Sequence, residues 1–153
     1  MKKDKYEAFF DGACEPYNPG GTMAYGACIN CNGTQVWSHS GLNTTRGIDS
    51  SNNMAEYAGL YIVLKYFINK NLVKHDITIF GDSALVIKQM TGQWRINKST
   101  KSFKIATACK QLLEKFTNLT LVWIPSIQNQ EADALTTNAL NTIGLKRTEY
   151  NKK

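Results

Sequence analysis

Nowhere does the sequence run apolar for the roughly 18 residues that a membrane-spanning helix needs. No membrane span is therefore expected. The charged start, Met1-Lys2-Lys3-Asp4-Lys5, has no apolar stretch behind it, so no signal peptide is expected there. Internal repeats, low-complexity tracts and inter-domain linkers are also missing, which leaves one domain over residues 1–153. Histidine is scarce: the chain has two, His39 and His75. There are four cysteines but a single C-x-x-C, Cys28 and Cys31. A zinc site needs two further ligands, and neither a second C-x-x-C nor a nearby histidine pair supplies them. Cys14, Cys28, Cys31 and Cys109 read as reduced thiols in a reducing compartment, with a cytoplasmic location expected.

What is present is enough for a packed core. The chain has 153 residues and is 42% hydrophobic, a composition that excludes wholesale disorder. Its net charge of +6 is unevenly placed. Between Lys88 and Lys115 lie Lys88, Arg95, Lys98, Lys101, Lys104, Lys110 and Lys115, against one acid, Glu114. That segment alone carries an excess equal to the whole net charge. Such a field suits a phosphate backbone, and it equally suits a solvated helix face.

Along the chain, Tyr6–Phe10 reads as a strand ending in Asp11-Gly12, followed by a Gly/Pro/Asn-rich loop over Glu15–Gly21. Met23–Ile29 and Thr34–His39 read as a hairpin, with Asn32-Gly33 as its turn. Gly41–Ser51 reads as a loop. Ser50 or Ser51 can cap a helix that ends near Asn69–Asn71. Asp76–Phe80 is a short β-branched strand closed by Gly81-Asp82. Ser83 then starts a helix that Gly92 breaks. Phe103–Phe116 is a further helix, Leu119–Ile124 a fifth strand stopped by Pro125, and Gln130–Leu140 a last helix. The core is expected over about residues 5–143, followed by a short basic tail whose end, Thr148–Lys153, is expected to fray. The order is three strands, then helix and strand in alternation, which is an α/β domain with an antiparallel start and parallel strands added through helical crossovers.

Four acids stand out within this order. Asp11 and Asp82 close two strands, Glu56 lies near the start of the first long helix, and Asp133 lies in the first turn of the last. In open α/β sheets ligands gather beyond the carboxyl ends of the strands, so all four can converge there. Carboxylates are the ligands that Mg²⁺ prefers, and two such ions about 4 Å apart can activate water and stabilise a leaving oxygen on a phosphodiester. Without a cation such a cluster is expected to repel itself. Each acid alone has a structural reading as a turn former or a helix-dipole partner.

The residues around these acids carry a resemblance. Phe10-Asp11-Gly12-Ala13-Cys14-Glu15-Pro16-Tyr17-Asn18-Pro19-Gly20-Gly21 resembles the first-strand motif of type 1 ribonuclease H, nearest to its archaeal-like branch. Ser51-Asn52-Asn53-Met54-Ala55-Glu56-Tyr57 is similar to the family's T-N-N-x-A-E helix start. Gly81-Asp82-Ser83, with Val86 and Gln89-Met90, resembles its third motif. Asn129-Gln130-Glu131-Ala132-Asp133-Ala134-Leu135 resembles its last. The spacing fits over about residues 5–140.

The resemblance implies a ribonuclease H-like fold, a five-stranded mixed sheet flanked by helices. It implies an endoribonuclease that hydrolyses the RNA strand of RNA–DNA hybrids with two Mg²⁺ or Mn²⁺ ions, leaving 5′-phosphate and 3′-hydroxyl ends. Asp11 would bridge the ions, Glu56 and Asp82 would complete one site, and Asp133 the other. Glu56 would also orient a water near the RNA 2′-hydroxyl. Gly12, Asn52 and Asn53 match positions at the nucleic acid, the two asparagines in the minor groove, and a helix cap is the structural alternative for them. Trp94, Arg95 and Lys98 would touch the DNA strand, with a core role the alternative for Trp94. A monomer is expected.

The chain departs from the family in three places. The loop before Asp133, Pro125-Ser126-Ile127-Gln128-Asn129, carries no histidine, and Ser126 stands where the archaeal-like branch has arginine. Gly92–Thr100 is too short for the extra basic helix of bacterial members. Ala84 follows Ser83 where glutamine is common, so one substrate hydrogen bond is expected to be lost. Two other readings compete: a catalytically silent module on the same fold that holds hybrids or double-stranded RNA, and a resolvase-like or transposase-like nuclease. The intact acids disfavour the first. Asn52-Asn53 and the small size disfavour the second.

Overall fold

The computed structural model describes residues 3–43 and 51–148. Five strands form one mixed sheet in the order β3-β2-β1-β4-β5. β1 (Lys5–Glu15), β2 (Thr22–Cys31) and β3 (Thr34–Asn43) form an antiparallel meander, and β4 (Asp76–Gly81) and β5 (Leu119–Trp123) add to β1 in parallel. The helices are α1 (Asn52–Asn69), α2 (Ala84–Met90), α3 (Phe103–Leu113) and α4 (Gln130–Asn141). Among the described residues no helix is long and apolar enough to cross a membrane.

The meander follows from its turn. Asn32 has φ +50° and Gly33 φ +86°, so both central residues occupy the left-handed region that a two-residue hairpin demands. β3 extends beyond the expected His39, because Leu42 pairs with Ala24 and Asn43 with Met23. The loop expected over Gly41–Ser51 therefore begins later, and its residues 44–50 lie outside the described ones. α1 starts at Ser51, whose side-chain oxygen accepts from the Met54 amide at 3.2 Å.

Alternation along β1 separates two layers. Tyr6, Ala8 and Phe10 enter the main core with Tyr57, Leu60, Leu64 and Phe67 of α1. Ala13, one face over, packs with Ala24 and with Ala139 and Leu140 of α4. Glycines bring both helices close. A Cβ on Gly12 would lie 2.2 Å from the Ala55 carbonyl carbon of α1, and one on Gly26 would lie 2.7 Å from the Thr136 nitrogen of α4. Gly26 is the register partner of Asp11, so β1 is gripped by the two helices at the position of its aspartate.

The sheet also settles the cysteines. Cys28 and Cys31 are three residues apart on one strand and so point to opposite faces. Cys31 packs on the α1 core, whereas Cys28 is buried beside Glu131 of α4. All four thiols are free. Burial pushes Cys28 up to about 12, with the Glu131 charge adding to it, and burial alone pushes Cys109 up to about 12. Two results follow. Iodoacetamide should modify half-buried Cys31 first in the native protein, and Cys14, Cys28 and Cys109 only on unfolding, as peptide mass spectrometry would read. The buried thiols titrate higher folded than unfolded, so their contribution is complete below the ordinary thiol value of 9.0 and is lost as pH rises toward about 12. Urea midpoints should accordingly fall between about pH 8 and about pH 10.5.

Candidate metal centre

Asp11 does not end its strand, as the sequence pattern suggested. β1 runs on to Glu15 because its pairing with β2 continues, and only its parallel pairing with β4 stops, at Phe10 and Gly81. Asp11 thus sits where β4 gives way, and Asp82 is the first residue past β4. Glu56 reaches the same place because Gly12, Ala55 and Gly59 let the α1 backbone approach β1. One oxygen each from Asp11, Glu56 and Asp82 lies within 4.8 Å of the others. Asp11 and Glu56 have no solvent exposure and Asp82 has 9%.

Three buried carboxylates from three elements suit a divalent cation. The donor set is entirely oxygen, which fits Mg²⁺ or Mn²⁺ rather than a soft ion. Asp133 stands apart from this trio in the first turn of α4, with 34% of its side chain exposed. Asn129 holds it in place. The Asn129 side-chain amide donates to the Phe10 carbonyl at 2.9 Å, and its own backbone carbonyl accepts from the Asp133 amide at 3.0 Å. The residue before Asp11 is thereby tied to the turn that carries Asp133.

Sequence reasoning missed Arg147. Its Nη1 donates to Asp11 Oδ2 and to Asp133 Oδ1, and its Nη2 donates to Asp11 Oδ1 at 3.3 Å and to the Gly12 carbonyl at 3.1 Å. The uncompensated repulsion expected of four acids is therefore replaced by a buried ion network. Burial would lower the arginine pKa. Hydrogen bonding and charge from Asp11, with Asp133 and Glu56, outweigh it and hold the guanidinium above the ordinary arginine value. The ordered packing extends past the expected core limit of residue 143 to Thr148, whose amide donates to buried Glu15 Oε2 at 2.9 Å. Thr148 is docked where fraying was expected, and residues 149–153 lie outside the described ones.

The assigned substrate contacts divide. Gly12 is buried under α1, and Asn52 is buried with its side-chain oxygen accepting from the Cys14 amide at 2.7 Å. Both have structural roles at the site's edge. Asn53 is exposed and lines an open groove of about 390 Å³ with Ser51, Gln89, Thr100 and Lys101. Trp94 is on the surface rather than in the core, 46% exposed, with the Lys88 ammonium 4.6 Å from its ring centre. Arg95 and Lys98 are exposed beside it. His39 lies against Trp37 on β3, and His75 Nδ1 accepts from the Asp4 amide near the start of β1. Neither approaches the acids from the loop before α4.

Comparison with known proteins agrees with this geometry. The family model described as reverse transcriptase-like matches residues 9–139. Ribonuclease HI of Halobacterium salinarum is 33% identical over 137 residues, 90% of this chain and 65% of that protein. The chain thus spans just under two thirds of that relative, and 24% of three mycobacterial proteins matched over 92 residues. The crystal structure of RNase H1 from the same halophilic archaeon superposes with a TM-score of 0.77 at 30% identity, covering 90% of this chain and 98% of that one. LC11-RNase H1 in complex with an RNA/DNA hybrid gives 0.75 at 25% identity, over 90% and 98% of the two chains. Fold and family model together define a protein of the reverse transcriptase-like class on the ribonuclease H fold. Within that class, the chain belongs to the type 1 ribonuclease H family.

Proposed function

We propose that this chain is a metal-dependent endoribonuclease that hydrolyses the RNA strand of RNA–DNA hybrids and leaves 5′-phosphate and 3′-hydroxyl ends. The observation that carries it is the convergence of buried Asp11, Glu56 and Asp82 within 4.8 Å, with Asp133 alongside. Asp11, Glu56 and Asp82 would hold one divalent ion, and Asp11 with Asp133 a second. Bound there, Mg²⁺ or Mn²⁺ supplies Lewis acidity toward a phosphate and makes water a nucleophile at neutral pH. Asp11 belongs to both sets and fixes their common edge. Glu56, at the start of α1, would orient a water beside an RNA 2′-hydroxyl. Asn53 lies on the groove where a minor-groove contact would be made. The RNA/DNA hybrid in the LC11 complex supports this substrate.

The acids act in this reading without a loop histidine. Arg95 and Lys98 hold the backbone of the DNA strand, and Trp94 stacks against it. In this reading the chain acts as a monomer in a reducing cytoplasm. The test is a labelled hybrid incubated with chelator, then with Mg²⁺ or Mn²⁺ restored. Cleavage should require the metal, and the products should accept a 3′ extension without prior phosphatase treatment. Metal-independent cutting, or 2′,3′-cyclic ends, would overturn the two-ion reading. Replacing Arg95 and Lys98 together by alanine should raise KM with little change in kcat. It should also flatten the salt dependence of binding by roughly one log–log unit for each phosphate that is no longer neutralised.

A further inference from the structure

We propose that Arg147 is a built-in competitor for the divalent ion held between Asp11 and Asp133. On this view the C-terminal segment Leu145–Thr148 occupies that half of the site until metal displaces it. The inference rests on the reading that these two acids hold an ion. It begins with charge. Asp11 has no solvent exposure and shares its surroundings with Glu56 and Asp82, so its carboxylate requires a cation nearby. Arg147 is that cation in the chain itself. Its Nη1 bridges one oxygen of Asp11 and one of Asp133, the pair assigned to the second ion, and its Nη2 takes the other Asp11 oxygen. The guanidinium and a metal would use the same oxygens, so one excludes the other.

The segment is latched on both sides of the arginine. Leu145 packs on the cluster of Ala13, Ala24, Ala139 and Leu140, and its amide donates to the Leu140 carbonyl at 3.1 Å. Thr148 donates through its amide and its hydroxyl to the two oxygens of Glu15, at 2.9 and 3.4 Å. The arginine side chain is 5% exposed. Its Nε is buried without a hydrogen-bond partner, so the docked guanidinium is incompletely satisfied, which lowers the cost of releasing it. Arginine cannot shed its proton, so it can leave the acids only by moving. Leu145 and Thr148 are the points at which such a movement would break contact.

The test is calorimetric titration of the full chain with Mn²⁺, without nucleic acid, for wild type, Arg147→Gln and Thr148→Val. Arg147→Gln should tighten the apparent Kd of the weaker ion by at least about tenfold, as loss of charge-assisted hydrogen bonds implies. Thr148→Val should give a smaller gain in the same direction, with Arg147 still present. The gain should vanish when Asp133→Asn is added to Arg147→Gln. Without metal, Arg147→Gln should melt below wild type, and Mn²⁺ should raise its Tm more than it raises the wild-type Tm. Equal Mn²⁺ affinity and stoichiometry in wild type and both variants would overturn the proposal, as would a gain that persists without Asp133. If Arg147→Gln does not fold, Arg147→Lys, which keeps one charge but loses the planar fork, serves in its place. Hybrid cleavage is read separately. Tightened Mn²⁺ binding without cleavage sinks the nuclease and leaves this proposal standing. Cleavage with Mn²⁺ affinity indifferent to Arg147 does the reverse.

Discussion

Asp11→Asn should leave a folded protein that no longer cuts hybrids, with metal-dependent cleavage down by at least about a thousandfold, or about 4 kcal/mol in the barrier. In the proposed reading Asp11 belongs to both ion sets, so no second carboxylate would replace it. The substitution is nearly isosteric, and it changes two opposing interactions. It relieves repulsion with Glu56 and Asp82 and weakens the pairing with Arg147. These offset in part, so circular dichroism and Tm should change little while cleavage is lost. Retained cleavage would remove Asp11 from the reaction.

Gly12→Ala should cost more stability than any other single methyl group added at the site. The new Cβ would meet the Ala55 carbonyl carbon at 2.2 Å and the Glu56 amide nitrogen at 2.3 Å. Both are backbone atoms in the first turns of α1, so no rotamer change relieves the clash. The helix must move off β1 and take Glu56 away from Asp11. A destabilisation of roughly 3 kcal/mol or more is expected, with cleavage lost even in the folded fraction. Urea denaturation and a cleavage assay under strongly native conditions measure the two effects apart. A stable, active Gly12→Ala protein would mean that this close approach is not needed.

These expectations show where the sequence was legible. The hairpin at Asn32-Gly33 could be read because a two-residue turn needs positive φ and those residues supply it. Glu56 and Asp133 could be placed because caps and breakers mark helix starts. The antiparallel start followed from the hairpin signal, and the parallel strands after it from crossover rules. Asp11's position within β1 was not legible, because Asp-Gly also signals a turn and only pairing with β2 carries the strand past it. β3 was read short because Ser40, Gly41 and Asn43 look like loop, and the edge of a sheet tolerates them. The tie between Asn52 and the Cys14 amide was not legible, because the two lie 38 positions apart in the chain.

Arg147 was the largest gap. It is separated from Asp11 by 136 positions and sits in a segment whose composition reads as a solvated tail. Leu145 is the one apolar residue there, too little to mark a docking element. The signal lay in burial arithmetic. Glu15 and Asp11 occupy an interior strand between apolar neighbours, and buried acids need donors from somewhere. The sequence cannot say which basic residue comes. The tertiary structure does.

The most direct measurement compares three 5′-labelled duplexes of one sequence, RNA–DNA hybrid, all-DNA and all-RNA, each incubated with wild type and with Asp82→Asn in Mg²⁺ and in Mn²⁺. Wild type should cleave the RNA strand of the hybrid and leave the DNA duplex intact, and Asp82→Asn should cleave nothing. An inert wild type with both metals would instead favour a binding module on this fold, and hybrid cleavage that survives Asp82→Asn would place the chemistry elsewhere.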